Sequence, residues 1–282
     1  MTAGDVIVVS EDGSGKKGNY FDGTDDYVLH DAHAVARVAA NDTLGTYTAW
    51  IYIDSLTTTR AIFSAGDNNS TDQVLELLIE NGALTVLMDV GGVRQFKVAE
   101  TTGSIVAKTW QHVALAQNGT RPILFVDGVE VAMTDATATD LTPWYDELTA
   151  VDKFAIGVKE SNATHTHDWL GAIGMVRYYA GVALSEDEIK RDMADSDTLS
   201  DDTVRQAALD TALVFNVTME NDGVTDSGSG ADNGTLTGHA HYGGKISDHS
   251  YQVEANSSGH AAEFINTFID GNKYVSIIKR GD

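Results

Sequence analysis

The composition of the chain is that of a folded, strongly acidic protein. Of its 282 residues, 42% are hydrophobic and 21% are charged, a balance that favours a core-bearing fold over a disordered chain. Asp and Glu total 42 against 18 Lys and Arg, and the formal net charge of -24 disfavours nucleic acid and anionic lipid as direct partners. The count of cysteines is 0, which excludes disulfides and thiolate metal sites.

The first motif along the chain is the acidic stretch FDGTDDYV, residues 21–28. Glycine adopts the positive φ of a tight turn, and a short Asp side chain can bond the backbone of its own loop. We therefore predict an edge hairpin in which Gly23 permits the turn, Asp22 bonds the loop backbone and Tyr27 packs inward. The carboxylates of this stretch could instead bind a metal ion, but the turn accounts for most of the motif.

Strand patterns dominate the chain from residue 19 to about residue 180. In TYTAWIYID (46–54), residues at alternate positions form two sets that occupy opposite faces of one strand. One set is Tyr47, Ala49, Ile51 and Ile53, and the other is Thr48, Trp50 and Tyr52. Asn-Gly at 81–82 and Asp-Gly at 127–128 predict hairpins, because these residues tolerate the positive φ of tight turns. Short strands with regular turns favour an all-β, antiparallel β-sandwich.

Helical patterns are few and come late in the sequence. LSEDEIKRDMA (184–194) contains a capping box, because Ser185 is followed three residues later by Glu188. Ser200 is predicted to cap a second short helix over residues 201–210.

The acidic stretch between the two predicted helices divides the chain. The predicted parts are an N-terminal arm (1–18), a sandwich (19–194) and a C-terminal segment (195–282) that completes the sandwich or mediates subunit contact. Within the C-terminal segment, residues 212–220 alternate like a strand and residues 224–238 are loop-like. Residues 264–280 predict a closing hairpin through Asp270 and Gly271.

Five motifs, taken in order, resemble the concanavalin A-like, laminin-G-like jelly-roll family. They are FDGTDDYV, TAWIYI, WQHVALAQNGT, LFVDGVEV and LGAIGMVRYYAGVALSEDEI, and they fall within residues 19–194. The resemblance implies two stacked, curved antiparallel sheets, which in this family often bind carbohydrate or protein and sometimes hold one calcium ion near the rim. Residues 212–238 resemble the opening strand and loop of such a module, although they follow its last strand. This strand either completes its own sheet or pairs with the edge of a neighbouring subunit.

The loop SAGDNNSTD (64–72) is the predicted calcium site, and calcium is the one cofactor expected. Calcium takes about six to eight oxygen ligands, several of which one acidic, amide-rich loop can supply. The predicted ligands are Asp67, Asn68, Asn69 and Asp72. The alternative is a solvent-exposed turn held together by its own Asx side chains.

Trp144 and Tyr145, together with Asp146, form the predicted carbohydrate contact. They lie in a polar loop (142–149) where no core obviously claims both rings. Aromatic faces stack on the C–H surfaces of sugars, and a flanking acid can accept hydroxyl protons. The alternative is a loop anchored by one buried ring.

The histidines offer weaker signals. His165 and His167 lie two residues apart in an extended segment and could bind zinc, but no third ligand is identifiable in the sequence. His112, in a strand with Trp110, is predicted to pack in the core or at its boundary.

The sequence predicts no catalytic site. Glycosidases place two carboxyl groups about 5 Å apart for retaining chemistry or about 6.5–9.5 Å apart for inverting chemistry. The Glu-x-Asp-x-Glu strand of concanavalin-like glycosidases does not occur in the sequence. Glu76 and Glu80 share a strand face but lie about 13 Å apart. We therefore expect a non-enzymatic protein.

Two non-enzymatic classes of protein remain. No export signal is recognisable, and no apolar run approaches the ~20 residues that span a bilayer. By analogy of fold, an acidic sandwich of this kind fits a virion exterior protein, such as a phage-type capsid decoration, head fibre or tail adhesin. The alternatives are a secreted bacterial lectin or adhesin and, third, a glycoside hydrolase. Expected partners are other virion or capsid subunits, further copies of the chain and a cell-surface glycan.

Overall fold

The computed structural model describes residues 18–218, 226–230, 233–237, 241–243, 263–269 and 272–278. Of the predicted N-terminal arm, Gly18 alone falls in these ranges, and parts of the predicted loop over 224–238 and of the closing hairpin lie outside them. The described residues are mostly strands in antiparallel sheets with short helices between them, which confirms the predicted fold class.

Most strands belong to two eight-stranded sheets. The first sheet contains β1 (Gly18–Asp22), β3 (Gly45–Ile53), β8 (Trp110–Gln117), β9 (Pro122–Val126), β10 (Val129–Glu130), β15 (Leu170–Ala180), β16 (Leu213–Val217) and β18 (His241–Gly243). The second contains β2 (Tyr27–Leu29), β4 (Arg60–Gly66), β5 (Val74–Glu80), β6 (Ala83–Val90), β7 (Val93–Glu100), β11 (Met133–Ala138), β12 (Lys153–Ile156) and β17 (Thr235–Thr237). Two separate pairs are β13 (Lys159–Ser161) with β14 (Thr164–Thr166), and β19 (Glu263–Ile269) with β20 (Asn272–Ile278). The helices are α1 (Asp31–Ala40), α2 (Glu186–Met193), α3 (Thr203–Ala212) and a 3₁₀ turn, Tyr145–Glu147.

The strand order determines which strands are neighbours. In the first sheet it is β10-β9-β8-β3-β15-β1-β18, and in the second it is β11-β7-β6-β5-β4-β12-β2-β17. β1 pairs with residues 170–173 of β15, and β16 pairs with residues 176–179, so both short strands lie on the side of β15 opposite β3. The strand predicted over 212–220 therefore pairs within its own chain.

The two predicted hairpin turns are confirmed. Asn81 and Gly82, at φ 53° and 79°, join β5 to β6. Asp127 and Gly128, at φ 49° and 76°, join β9 to β10. Positive φ at both central residues gives the primed turn whose twist matches that of the flanking strands.

The helix starts follow the predicted capping chemistry in one case of two. The Ser185 hydroxyl accepts from the Glu188 backbone N–H, and the Glu188 carboxylate accepts from the Ser185 backbone N–H, which confirms the capping box of α2. Helix α3 begins later than predicted, and Asp202 caps it by accepting two backbone N–H groups of the first turn. The predicted cap at Ser200 is therefore wrong. Within the described residues, no helix is both long and apolar enough to cross a membrane.

The opening acidic stretch does not form the predicted hairpin. β1 pairs in the first sheet and β2 in the second, so the residues between them carry the chain from one sheet to the other. Gly23 has φ 85°, and the Thr24 N–H donates to Asp22 Oδ1 at 2.9 Å, as a turn requires. Tyr27 does not pack inward: Val28, its neighbour on the strand, is 0% exposed and takes the inward position.

The core lies between the two sheets and has an aromatic centre. The Tyr47 ring packs against Phe63, Phe154 and Tyr178, with ring centroids 4.3, 5.7 and 4.3 Å apart. Helix α1, which the sequence analysis did not predict, inserts His33 into this cluster, with Nε2 2.8 Å from the Tyr47 hydroxyl. The cluster thereby fixes α1 against both sheets.

Helices α2 and α3 pack on the outer face of the first sheet. Together with that face they form a second apolar cluster. Its buried members are Ala114, Ala116, Phe125, Tyr179, Leu184, Ile189, Leu199, Leu209 and Ala212. This cluster lies towards one end of the outer face, and the rest of the face includes the candidate site.

Candidate functional site

Two large aromatic side chains of β3 point away from the core. The inner set of β3 residues is buried between the sheets, as the alternation predicted. Trp50 and Tyr52 belong to the outer set and are half-buried. Burial between the sheets does not explain large rings on this face, so the two rings are candidates for contact with a ligand.

The strand register brings two further aromatic residues beside them. Tyr20 of β1 lies opposite Ala172 of β15, Ala172 lies opposite Tyr52, and Tyr52 lies opposite Trp110 of β8. Three aromatic residues and one small residue therefore form a row across four neighbouring strands. Trp50 belongs to the next row of the same face. We call Tyr20, Trp50, Tyr52 and Trp110 the aromatic patch.

The rings of the patch are held by contacts with one another and with the sheet. The ring centroids of Tyr52 and Trp110 are 5.8 Å apart, and the Trp50 ring meets His112 edge-on at 5.4 Å. Trp110 is 7% exposed, so it supports its neighbours more than it faces solvent. Because the rings are fixed in advance, a ligand would lose little free energy in ordering them.

Tyr20 reaches from β1 to the end of β3. Its hydroxyl donates to Asp54 Oδ2 at 2.7 Å, and the Asp54 backbone N–H donates to the Leu170 carbonyl at 3.0 Å. Burial raises the pKa of Tyr20, and the hydrogen bond to Asp54 and the charges of Asp54 and Asp22 raise it further. The hydroxyl is therefore a hydrogen-bond donor at neutral pH. Asp54 accepts this bond through Oδ2, so Oδ1 can accept from a ligand.

A buried ionic network borders the patch. Asp192, near the end of α2, is 1% exposed and accepts from Arg177 Nη1 at 2.9 Å and from the Tyr179 hydroxyl at 2.6 Å. His112 Nε2 lies 3.4 Å from Asp192 Oδ2, and His112 is 2% exposed, which confirms it as a packed histidine. Burial would raise the pKa of Asp192, but the His112 bond and the Arg177 charge outweigh it and lower the pKa. The network fixes α2 to the sheet and holds His112 against Trp50.

An acidic cluster lies next to the patch. The carboxylate oxygens of Asp22, Asp25 and Asp26 lie within 4.8 Å of one another, and in the described part of the chain this is the group of acids close enough to share a cation. Asp22 and Asp25 are exposed, whereas Asp26 is buried and its Oδ2 accepts from the Asp22 backbone N–H at 2.8 Å. Asp22 is two residues beyond Tyr20 on β1 and lies on the same face.

Hydrogen bonds within the predicted calcium loop, and one from the loop to Asp152, hold it as a turn. Asp67 Oδ1 accepts from the Asn69 N–H at 2.8 Å, and the Asn68 N–H donates to Asp152 Oδ1 at 2.9 Å. The Asp72 N–H donates to the Ser70 hydroxyl at 3.0 Å. The bonds of the Asn69 and Asp72 N–H groups, each to a side chain two residues earlier, are typical of Asx and Ser turns. Calcium binding by this loop stays a prediction.

Trp144 and Tyr145 are inaccessible to a ligand. Both are 0% exposed: Trp144 Nε1 donates to the Tyr178 hydroxyl at 2.9 Å, and the Tyr145 hydroxyl lies 2.6 Å from that of Tyr47. Asp146 Oδ1 accepts from the Trp144 backbone N–H at 3.1 Å. The predicted stacking of a sugar on Trp144 and Tyr145 is therefore wrong, because the loop folds over the core and buries both rings in it, and the half-buried Asp146 has no accessible ring beside it there.

His165 and His167 each face a different acid. His167 Nδ1 lies 2.6 Å from Oε1 of Glu76, a carboxylate that is 0% exposed on the outer face of the second sheet. His165 Nε2 lies 3.8 Å from Glu160 Oε1. The two imidazoles thus contact separate carboxylates.

The site as a whole was not predicted, although the sequence contains one clear signal for it. The alternation of TAWIYI placed Trp50 and Tyr52 on the face away from the core. The same rule applied to β8 places Trp110 on the outer face of the sheet, because Val113 and Leu115 point inward. Aromatic residues at outward positions of two strands were the signal that could have identified the patch.

The fold identifies the class of protein as a jelly-roll β-sandwich. Residues 22–190 match the Laminin_G_3 family model, described as the concanavalin A-like lectin/glucanases superfamily. Because the match covers more than half of the chain, the chain belongs to this superfamily, and the resemblance drawn from its motifs is confirmed. No curated protein sequence matches the chain.

Solved structures share this fold at low sequence identity. The CBM40 module of the Ruminococcus gnavus IT-sialidase matches with TM-score 0.51 and 20% identity, over 62% of this chain and 95% of that one. A protein from Bacteroides ovatus proposed to bind carbohydrate matches with TM-score 0.50 and 17% identity, over 82% of this chain and 60% of that one. A variant of the NanB sialidase from Streptococcus pneumoniae matches with TM-score 0.50 and 13% identity, over 61% of this chain and 27% of that one. The chain thus has the fold of a carbohydrate-binding module.

Proposed function

We propose that this chain is a non-catalytic glycan-binding module that holds its ligand on the aromatic patch. The observation that carries the proposal is the row of Tyr20, Tyr52 and Trp110 across four strands, with Trp50 beside it, on a face directed away from the core. Aromatic faces stack on the C–H surfaces of sugar rings, and Asp54 Oδ1 can accept a hydroxyl proton at the margin.

Membership in a lectin and glucanase superfamily supports carbohydrate as the ligand class. The match to nearly the whole length of a sialidase's CBM40 module, as opposed to about a quarter of the NanB sialidase chain, supports binding without catalysis. The position of the acids supports the same view. Asp54 already accepts a hydrogen bond from Tyr20, and the buried Glu76 lies on the other sheet, in contact with His167 Nδ1.

Substitution of the patch tests the proposal. In a glycan array followed by calorimetry, Trp50→Ala and Tyr52→Ala are each expected to weaken binding roughly tenfold or more, since ligand-contacting aromatic anchors contribute about 1–2 kcal/mol or more. Tyr27→Ala is the matched control, because Tyr27 is also a half-buried strand tyrosine but lies on β2 of the second sheet. Binding at the patch would be contradicted if Tyr27→Ala and Tyr52→Ala lost equal glycan affinity, or if Tyr52→Ala lost none.

An activity assay tests the non-catalytic part. We expect no release of reducing sugar from any glycan that the chain binds. Hydrolysis that Asp54→Asn abolishes while the variant keeps the wild-type melting temperature would instead establish a glycosidase.

We also propose that the module is displayed on the exterior of a virion, as a capsid decoration, head fibre or tail adhesin in contact with other virion subunits. Its support is the acidic, cysteine-free composition together with the sandwich fold. Mass spectrometry of purified virions should detect the chain, and cryo-electron microscopy should place it outside the shell or on the tail. Detection in culture supernatant without virions would favour the secreted adhesin.

A further inference from the structure

We infer that the ligand of the aromatic patch is an uncharged glycan, and that sugars bearing a carboxylate or sulfate are rejected. This inference rests on the proposed glycan-binding function and concerns the same surface. It follows from the charges that surround the patch.

Acids dominate one end of the patch. Asp54 accepts from Tyr20, and the clustered carboxylates of Asp22, Asp25 and Asp26 begin two residues beyond Tyr20 on the same strand. The pKa of Tyr20 is raised by burial first, and then by its bond to Asp54 and by the charges of both Asp54 and Asp22. The negative potential of these acids therefore extends to an aromatic ring that would touch the ligand.

Between residues 18 and 218, each arginine donates at least one hydrogen bond to an acid or a carbonyl of the protein itself. The acceptor is a carboxylate for Arg37, Arg94, Arg121, Arg177, Arg191 and Arg205, and the Asp168 carbonyl for Arg60. Recognition of an anionic sugar normally relies on an arginine that can offer two parallel N–H groups to the ligand.

Among the described residues, two cations lie near the acidic end, and they are fewer than the acids there. Arg60 Nη1 lies beside Gly23 and donates to the Asp168 carbonyl. Lys108 is exposed and lies beside the end of β3, since its backbone N–H donates to the Ile53 carbonyl. Within the part of the chain that the structure describes, three carboxylates stand against them, those of the exposed Asp22 and Asp25 and of Asp54.

The polar groups at the margin suit sugar hydroxyls. A carboxylate is an acceptor, and the hydroxyls of a neutral sugar are donors that can bond to Asp54. An anionic substituent would meet carboxylates instead, and like charges at close range disfavour binding. Stacking would then supply affinity for the ring, and the acids would select against charge.

The test uses the full chain and matched pairs of oligosaccharides that differ in one anionic group, such as lactose and α2,3-sialyllactose, within an array of neutral, sialylated and sulfated glycans. We expect the neutral member of each bound pair to bind at least about tenfold more tightly than its anionic counterpart. If anionic members bind as tightly as neutral ones or more tightly, and Tyr52→Ala weakens that binding, this inference is overturned. The proposed function then still stands. No binding to any member would overturn the proposed function itself.

Charge variants identify the cause of the discrimination. The double variant Asp22→Asn/Asp25→Asn should leave the affinity for neutral glycans unchanged and lower the ratio of neutral to anionic affinity by at least about threefold. High salt should lower the same ratio in the wild type, because screening weakens the repulsion. The matched control is Asp135→Asn/Asp140→Asn, which removes two exposed acids at the β11 edge of the second sheet. A ratio that does not change in the first variant, or that narrows equally in the control, would show that these acids do not select the ligand.

Discussion

Replacing Asp192 tests the contact that joins α2 to the first sheet. The carboxylate is 1% exposed and accepts from Arg177 and from the Tyr179 hydroxyl, with His112 at 3.4 Å. Asp192→Ala leaves a largely buried guanidinium without its inner partner and removes the acceptor of a buried hydroxyl. Removing one member of a buried ion pair typically costs about 3–5 kcal/mol. For a domain of this size, that corresponds to a fall in Tm of roughly 6–20 °C.

Asp195→Ala is the control for this prediction. Asp195 bonds the same arginine, but its side chain is 60% exposed, and exposed ion pairs contribute under about 1 kcal/mol. Urea and thermal unfolding, followed by circular dichroism, should therefore separate the two variants clearly. Equal and small losses of stability in the two variants would refute the view that burial makes the contacts of Asp192 strongly stabilising.

The same network has a defined pH dependence. The folded pKa of Asp192 lies below the ordinary value of 3.8, because the His112 bond and the Arg177 charge outweigh burial. Its contribution to stability is therefore complete above about pH 5 and is lost as the pH falls below the ordinary value. The Tm difference between wild type and Asp192→Ala should shrink over that acidic range, and a difference that stays constant down to pH 3 would contradict the assignment.

Two further predictions concern titration and metal. Burial, with the charges of Arg37 and His30, lowers the pKa of His33 well below 6.5, so the unfolded chain takes up a proton that the folded chain excludes. Unfolding free energy should fall below pH 6.5 by up to about 1.4 kcal/mol per pH unit, and His33→Phe should remove that slope in urea titrations. If the 64–72 loop binds calcium, added Ca²⁺ should raise the Tm of the wild type and of Asp25→Asn but not that of Asp67→Asn, and a wild-type Tm that neither Ca²⁺ nor EDTA moves would contradict the site.

Features that depend on adjacent residues could be predicted from the sequence. The alternation of β3 placed Trp50 and Tyr52 on the outer face, and Asn81 with Gly82 marked a hairpin whose backbone requires positive φ. Helix α1 escaped prediction because DAHAVARVAA carries few large apolar residues and because His30, at its N-cap position, makes no side-chain capping bond. The local signal available in the sequence was Asn41, since Asn tolerates the left-handed conformation that ends a helix. In the structure Asn41 ends α1 with φ 57°.

Features that depend on distant residues were the ones that failed. The path from β1 into the second sheet follows from pairing with β15 on one side and β12 on the other, and neither partner is visible in FDGTDDYV. The patch likewise exists because the order β1-β15-β3-β8 aligns Tyr20, Tyr52 and Trp110, which are far apart in the chain.

The fate of the aromatic residues shows why loop position was a poor guide to ligand contact. Trp144 and Tyr145 lie in a polar loop, yet the rings satisfy their polar atoms inside the core, on the hydroxyls of Tyr178 and Tyr47. Tyr20 lies on a strand, yet its hydroxyl is satisfied by an acid at the margin of the sheet face. A buried aromatic hydroxyl needs a partner wherever it sits, so the partner's location distinguishes a core ring from a surface ring. In a two-sheet sandwich, outward positions on central strands are therefore the better place to look for rings that meet a ligand, because register can align them while the sheet keeps them rigid.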